Sequence, residues 1–254
     1  MKIAVCVKQV PSTTAVIRVA PEGLDLSGVE LVLSPYDEYA LEEGLKAKDA
    51  NAGSTLTVIT VGPDGAAKVL EHAFALGADE GIHVKADGID ARGAAACAAA
   101  LLKAAPADLI FCGRQAIDDD SWLFPGTLGE LLDLPHVTAA VTFTLSGAEA
   151  VCKRRIEGGE ETLVVQLPAV VSADKGLNEP RSPTLKGRLA AKKKQAVVKT
   201  PADLGLDEAA LAPALAVQSY APPPAKSPGK MVGGNAAEAA KELVRLLREE
   251  AKVI

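Results

Sequence analysis

The feature that most constrains the fold is an alternation of two hydrophobic periodicities between residues 2 and 112. Short apolar runs, typical of strands covered on both faces, alternate with longer segments in which apolar residues recur at helical spacing. The predicted strands are 2–7, 54–61, 81–85 and 108–112, and the predicted helices are 35–51, 66–76 and 91–104. This order predicts an α/β fold with a doubly wound, mostly parallel sheet and right-handed crossovers.

Local signals mark several boundaries of these elements. Ser34, Pro35 and Asp37 offer a capping residue, a proline at the first helical position and an acid at the third. Gly77 is placed to end the second helix as a C-cap. Residues 17–33, between the first strand and the first helix, are expected to be irregular or hairpin-like.

The pattern changes after His136. Segments 137–145, 149–156 and 162–167 are strand-like and are separated by short turns, which predicts an antiparallel extension followed by a last strand at 169–173. Beyond Pro180 come a proline-rich stretch at 222–224 and a helix at about 235–251 that has no obvious core of its own. We therefore expect an α/β nucleotide-binding domain at 1–183 and an arm at 184–254 that packs on a partner chain.

Composition excludes several classes of function. A net charge of −6 gives no basic surface for nucleic acid and does not favour an anionic membrane. The first apolar run is too short for a signal segment or a membrane span, so a cytoplasmic protein is expected. The four cysteines are far apart in sequence and without CxxC spacing, which favours buried reduced thiols over a metal site or a disulfide.

Residues 107–125 predict the binding site. A buried strand ends at Gly113, a loop carries three consecutive aspartates, and Ser121 precedes a new apolar periodic segment. Ligands of open parallel sheets bind beyond the carboxyl ends of strands, where a helix N-terminus offers free N–H groups to a phosphate. This arrangement predicts a nucleotide site with Ser121 at the start of a capped helix.

Catalytic chemistry has little support in the sequence. Asp118, Asp119 and Asp120 suit either a metal or acid/base site or a loop with helix capping, and the second interpretation is favoured. The chain has no GxSxG elbow, no GxxxxGK[ST] loop and no GxGxxG after the first strand. No catalytic residue and no metal site are therefore predicted. Only 3% of residues are aromatic, so another chain would supply much of any flavin site.

Several motifs, in order along nearly the whole chain, resemble the beta subunit of electron transfer flavoprotein. The GRQAIDDD and LNEPR segments are the most specific of them. The matching segments are 5–11 (VCVKQVP), 34–38 (SPYDE), 40–43 (ALEE), 75–79 (ALGAD), 113–120 (GRQAIDDD), 167–171 (LPAVV), 177–181 (LNEPR), 184–185 (TL) and 192–194 (KKK).

This resemblance implies an adenine nucleotide alpha-hydrolase-like fold and a role in electron transfer. Members of the family pair with an alpha subunit that carries the redox FAD. The heterodimer takes electrons from dehydrogenases, such as the acyl-CoA dehydrogenases of fatty acid beta-oxidation, and passes them to a membrane quinone oxidoreductase or another acceptor. The beta subunit itself holds AMP or, in the electron-bifurcating branch, a second FAD.

The resemblance also assigns residues. Cys6, Ser34 and Val61 would border the adenine and ribose, and the backbone and helix start of the GRQAIDDD loop would hold the phosphate. The loop residues implied are Gly113, Arg114, Gln115, Ala116, Ile117, Asp118, Asp119, Asp120 and Ser121. Leu185 stands where the family has the recognition-loop leucine that inserts into the partner dehydrogenase, and the arm would wrap the alpha subunit.

The chain departs from the family after Ser121, where Trp122, Leu123, Phe124 and Pro125 replace small or polar residues. Bulky groups in that turn would fill part of the pocket, which favours AMP, or an altered or empty site, over a second FAD. Two other classes of protein remain open. They are an ATP-binding module of the universal-stress type and a nucleotide-dependent hydrolase that uses the three aspartates.

Overall fold

The computed structural model describes residues 1–21, 23–226 and 228–254. The strands are β1 Lys2–Val7, β2 Gln9–Pro11, β3 Arg18–Ala20, β4 Gly23–Asp25, β5 Leu31–Leu33, β6 Thr55–Gly62, β7 Glu80–Lys85, β8 Leu109–Gly113, β9 His136–Ser146, β10 Glu149–Ile156, β11 Gly159–Gln166, β12 Ala169–Ala173 and β13 Val197–Lys199. The helices are α1 Pro35–Ala50, α2 Lys68–Leu76, α3 Ala91–Ala104, α4 Leu123–Leu132, α5 Leu185–Ala191, α6 Glu208–Leu211 and α7 Ala236–Arg245.

Nine of these strands form one sheet in the order β11-β10-β9-β12-β8-β1-β6-β7-β13. The strands from β9 to β13 in that order are paired in parallel. β9, β10 and β11 are antiparallel to one another. The predicted α/β sheet with an antiparallel extension is confirmed. The direction of strand addition reverses between β1 and β8, at the centre of the sheet.

Helices cover both faces of the sheet because alternate residues of its central strands point to opposite sides. On one face, Val5 belongs to a core that includes Leu41 of α1 and Leu70 of α2. On the other face, Ala4 belongs to a core that includes Ala98 of α3 and Leu128 of α4. The central strands of the sheet are therefore buried between two helical layers.

The two predicted helix caps differ from the structure in different ways. Ser34 is the N-cap residue of α1, but the Asp37 and Glu38 N–H groups donate to its backbone carbonyl (2.9 and 3.1 Å), and its side chain makes no capping hydrogen bond. Ser121 does not begin a helix, because its N–H donates to the Asp119 carboxylate (3.1 Å) and the loop continues for one residue more. α4 follows Trp122, whose backbone is left-handed with φ of 57°.

The other local signals are placed as predicted. Pro35 is the first residue of α1, and Gly77 ends α2 with φ of 121°. Strands β3 and β4 pair in antiparallel fashion within the stretch expected to be irregular or hairpin-like. α2 itself begins two residues later than predicted, since a 3-10 turn at Asp64–Ala67 precedes it.

The segment after residue 183 contains structure that the sequence patterns do not predict. Thr184 caps α5 by accepting from the Gly187 N–H (3.0 Å), and β13 pairs in parallel with the edge strand β7. The sheet therefore continues beyond the predicted boundary, and the division at 183 stays a prediction. Near the end of the chain, Asn235 and Glu238 form a capping box for α7. Among the described residues, no helix has the length and apolar character needed to cross a membrane.

We predict that Gly44→Ala destabilises the fold. A Cβ at Gly44 would lie 2.7 Å from Val5 Cγ2 and 3.2 Å from Leu56 Cδ1, so α1 would have to move away from β1. Overpacking of this kind costs about 1–3 kcal/mol. Denaturant unfolding measures the loss. Gly159→Ala, where no atom lies within 4 Å of the added Cβ, is the control and should change stability by less than about 0.5 kcal/mol.

Candidate functional site

A cavity of about 300 Å³ opens beyond the carboxyl ends of β1, β6 and β8. It lies beside the point where strand addition reverses, which is the usual ligand position in sheets of this type. Its volume is at the lower end of the range for small-molecule sites, about 300–1,000 Å³. Besides β-strand ends, it is bounded by the start of α3 and by the loop that leads into α4.

The Asp37 side chain joins the carboxyl ends of the two central strands, β1 and β8. One carboxylate oxygen accepts from the Lys8 N–H (2.7 Å) and the other from the Gly113 N–H (2.8 Å). Burial raises the pKa of Asp37 to about 7, while these two hydrogen bonds and the Lys8 charge act in the opposite direction. A Cβ at Gly113 would clash with this carboxylate and with Tyr36. Only glycine fits there.

Lys8 ties the end of β1 to the acidic loop. Its Nζ lies 2.8 Å from an Asp118 oxygen and 3.2 Å from an Asp119 oxygen. Burial lowers the pKa of Lys8, but the hydrogen bonds and charges of Asp118 and Asp119 raise it by more, so the side chain stays cationic. The loop is further closed by the Asp120 N–H, which donates to the Ala116 carbonyl (2.9 Å).

Arg114 is held in a stack beside the cavity. Its guanidinium carbon lies 4.5 Å from the centre of the Tyr36 ring and 4.4 Å from that of Trp122. One terminal nitrogen pairs with Asp174 (2.9 Å), and the other donates to the Tyr36 hydroxyl (2.8 Å). The guanidinium therefore connects the loop to α1 and to the end of β12.

The structure brings most of the sequence-predicted site residues together around the cavity. The predicted residues that line it are Cys6, Val61, Gly113, Gln115, Ala116, Asp118, Asp119 and Ser121. Ser34, Arg114, Ile117 and Asp120 do not line it. Ser34 is completely buried, and its hydroxyl has no partner among the described residues.

Several other residues that line the cavity are not predicted from the sequence. Lys8 and Asp37 belong to motifs that were recognised, but their meeting depends on strands and helices that are distant in sequence. The start of α3 contributes Asp90, Ala91 and Ala94. Only the rule that the carboxyl ends of parallel strands share one edge could have indicated Lys8. Alanine residues at the start of a helix give no indication in the sequence that they line a binding site.

The residues present fit an adenine nucleotide. Gln115 lines the cavity, and its Oε1 is buried without a hydrogen-bond partner among the described residues, so an acceptor is free for an amino or hydroxyl group. The small side chains of Ala91 and Ala94 leave space on the α3 side. The Lys8 ammonium group pairs with Asp118 and Asp119 of the loop. Within the described ranges, no cluster of three or more His, Cys, Asp or Glu side chains could hold a metal ion.

The two thiols that line the floor of the cavity are unreactive. Cys6 and Cys112 are paired across β1 and β8, and both are buried. Burial, with a smaller effect of the Asp37 charge, raises the pKa of Cys6 to about 12. Since the thiolate is the nucleophile, a protonated thiol of this kind serves as an apolar floor.

The chain is similar in sequence to known proteins over its whole length. A sequence model described as the electron transfer flavoprotein domain matches residues 23–204. The electron transfer flavoprotein subunit beta of Bacillus subtilis is 38% identical over 258 residues, which cover all of both chains. The human protein of the same name is 36% identical over 260 residues, covering all of this chain and 99% of the relative. The subunit from Syntrophomonas wolfei is 34% identical, with 100% and 98% covered.

We predict that Asp37→Asn lowers stability, and more so in acid. An amide offers one acceptor where the carboxyl group meets two N–H donors, and an unpaired buried N–H costs about 1–3 kcal/mol. Because the folded-state pKa of Asp37 is raised from 3.8 to about 7, the folded protein holds a proton between these values that the unfolded chain has released. Raising the pH across this window therefore lowers the stability of the wild type.

The measurement is the difference in free energy of unfolding between wild type and Asp37→Asn at several pH values. The wild type should lead by most near pH 4, and its lead should shrink until about pH 7. Asp64→Asn, at an exposed carboxylate, is the matched control and should show no such trend. A lead that grows with pH would contradict the raised pKa.

Proposed function

Because the chain belongs to the family of electron transfer flavoprotein beta subunits, we propose that it forms a heterodimer with an alpha subunit that carries the redox FAD. The heterodimer takes electrons from dehydrogenases, such as acyl-CoA dehydrogenases, and delivers them to a quinone oxidoreductase or another acceptor. In this proposal the chain is an electron-carrier subunit in the cytoplasm, and it performs no acid/base step of its own.

The observation that carries the proposal is the cavity at the centre of the sheet, which is bounded by the GRQAIDDD segment. This family-specific motif and the fold-level ligand position coincide, although they were identified independently. We propose that AMP occupies the cavity. Its volume, about 300 Å³, suits a mononucleotide better than a dinucleotide.

Each part of the cavity has a role in this proposal. Cys6 and Val61 provide apolar surface for the base, and Gln115 offers its free acceptor to an amino or hydroxyl group. The N–H groups of loop residues 115–119 and the start of α4 would face the phosphate, since the N–H groups at both ends of the loop already have acceptors within the protein. Lys8 pairs with two of the loop carboxylates and offsets one of their two negative charges, which reduces their repulsion of an anion. The bound AMP would have a structural role.

The arm has the character of a segment that needs a partner. Between residues 205 and 254, large apolar side chains are exposed, among them Leu215, Met231 and Ile254. Leu246 is the one buried apolar side chain of that range among the described residues. Exposed apolar surface of this extent marks an interaction surface, and we assign it to the alpha subunit.

Leu185 is proposed to contact the donor dehydrogenase. It is the first residue of α5 and is 76% exposed. The backbone around it is fixed, because Thr184 caps the helix and Gly187 lies against the Ala75 carbonyl of α2. One apolar anchor on a rigid support suits a transient complex, in which few residues provide most of the binding energy.

Two alternatives are distinguished by the ligand. A beta subunit of the electron-bifurcating branch would hold a second FAD in the same cavity. A universal-stress-type module would bind ATP as a homodimer, without a flavoprotein partner. The cavity is lined by Asp37, Asp90, Asp118 and Asp119 and, among the described residues, by one cationic side chain, Lys8, so its acidic surroundings disfavour the higher charge of ATP. The aspartate-dependent hydrolase lacks a cluster of metal ligands among the described residues.

We predict that the chain co-expressed with its alpha subunit yields a heterodimer with one FAD and one AMP. The measurement is chromatography of nucleotides extracted from the purified complex. The control is the chain expressed alone, which should show no flavin spectrum. Two FAD without AMP would indicate the bifurcating branch, and ATP on a homodimer would refute the family role.

We predict that Leu185→Ala weakens the encounter with the donor dehydrogenase. Loss of an interface anchor costs roughly 2 kcal/mol or more, so the KM for the reduced dehydrogenase should rise by about thirtyfold or more. Leu189→Ala is the matched control, since Leu189 lies one turn further along α5 and is 56% exposed. Equal effects of both substitutions, or a loss of bound FAD, would contradict a specific docking role.

A further inference from the structure

Trp122 forms part of the cavity wall and is unusual in its backbone. It is the single tryptophan of the chain, it is 48% exposed, and it lines the cavity together with Phe124. Its φ of 57° and ψ of 2° lie in the left-handed region, which bulky side chains rarely adopt. A backbone conformation of this kind persists only where surrounding contacts stabilise it, and the contacts of the indole ring can do so.

Arg114 supplies the holding contact. Its guanidinium covers one face of the indole at 4.4 Å, and Tyr36 and Asp174 fix the guanidinium in turn. Trp122 lines the cavity and Arg114 does not, so the indole stands between the guanidinium and the ligand space. The stack therefore fixes a large flat side chain at the edge of the cavity.

We propose that Trp122, held by Arg114, is the wall that restricts this cavity to an adenine mononucleotide. The inference rests on the proposed function of the cavity as a nucleotide site. AMP and FAD share an adenosine and its first phosphate, so the contacts to those groups do not distinguish the two ligands. FAD extends beyond that phosphate and AMP does not, so the space there determines which of the two ligands fits. If the phosphate lies at the loop 113–121, Trp122 occupies the direction in which a dinucleotide continues.

The first test is Trp122→Gly in the heterodimer with the alpha subunit. Glycine adopts positive φ without strain, so this substitution removes the wall and suits the backbone. We expect extracted FAD to rise from one per heterodimer towards two while AMP falls. Trp122→Phe is the matched control because it keeps an aromatic ring over Arg114, and it should retain one FAD and one AMP.

The outcomes separate this inference from the proposed function. A wild type with one FAD and one AMP, and a Trp122→Gly variant with the same content, would overturn the wall while leaving the AMP site intact. Two FAD in the wild type would overturn both. The FAD of the alpha subunit reports assembly of each variant.

A second measurement needs no variant. Since the chain contains one tryptophan, the intrinsic fluorescence of the full chain reports on the wall itself. AMP should change the Trp122 emission with a saturable dependence that matches its binding by equilibrium dialysis. In Arg114→Lys, which keeps the charge opposite Asp174 but loses the planar stack, the free-chain emission should shift to longer wavelength. Emission unaltered by bound AMP would place the indole away from the ligand and overturn the proposal.

Discussion

The carboxylate of Asp37, shared between the N–H groups of Lys8 and Gly113, is the interaction on which the site depends. It joins the ends of two parallel strands that come from opposite halves of the sheet, and it does so from the first turn of α1. Burying this group is costly, and the two hydrogen bonds offset part of the cost. The hydrogen bond to Asp37 also positions Lys8, whose side chain pairs with Asp118 and Asp119. The position of the loop 113–121 therefore depends on the contacts of Asp37.

A second set of buried carboxylates links helix α1 to the segment that precedes α5. Glu42 and Glu43 of α1 are buried, and their partners are Arg181 and Asn178, which follow the last strand of the core. Arg181 binds Glu42 through Nε and also pairs with Asp49 (2.8 Å). The two family motifs that contain these residues are therefore two sides of one contact. Helix α1 begins at the cavity and, near its end, anchors the chain that leads to Leu185.

The surroundings of the cavity are suited to holding a ligand and poorly suited to chemical catalysis. The thiol of Cys6 is protonated, and the carboxylate of Asp37 is occupied by backbone donors. Lys8 is occupied by two carboxylates. What remains available among the described residues is the shape of the cavity and one free acceptor on Gln115. These features suit a cavity that binds a ligand without reacting with it.

The sequence by itself determined the parallel sheet and its antiparallel extension, because strand and helix periodicity and turn residues act locally. It also indicated the edge of the sheet at which the cavity opens. Helix α3 and strand β12 occur at the predicted residues. The tertiary structure alone decided the caps, the strand β13 and the wall of the cavity. Asp37 could have served its own helix, but N–H groups from two strands provide it with buried partners, and Lys8 meets Asp118 across 110 residues. Local patterns do not contain such contacts, since they exist only when distant segments bury the same polar groups together.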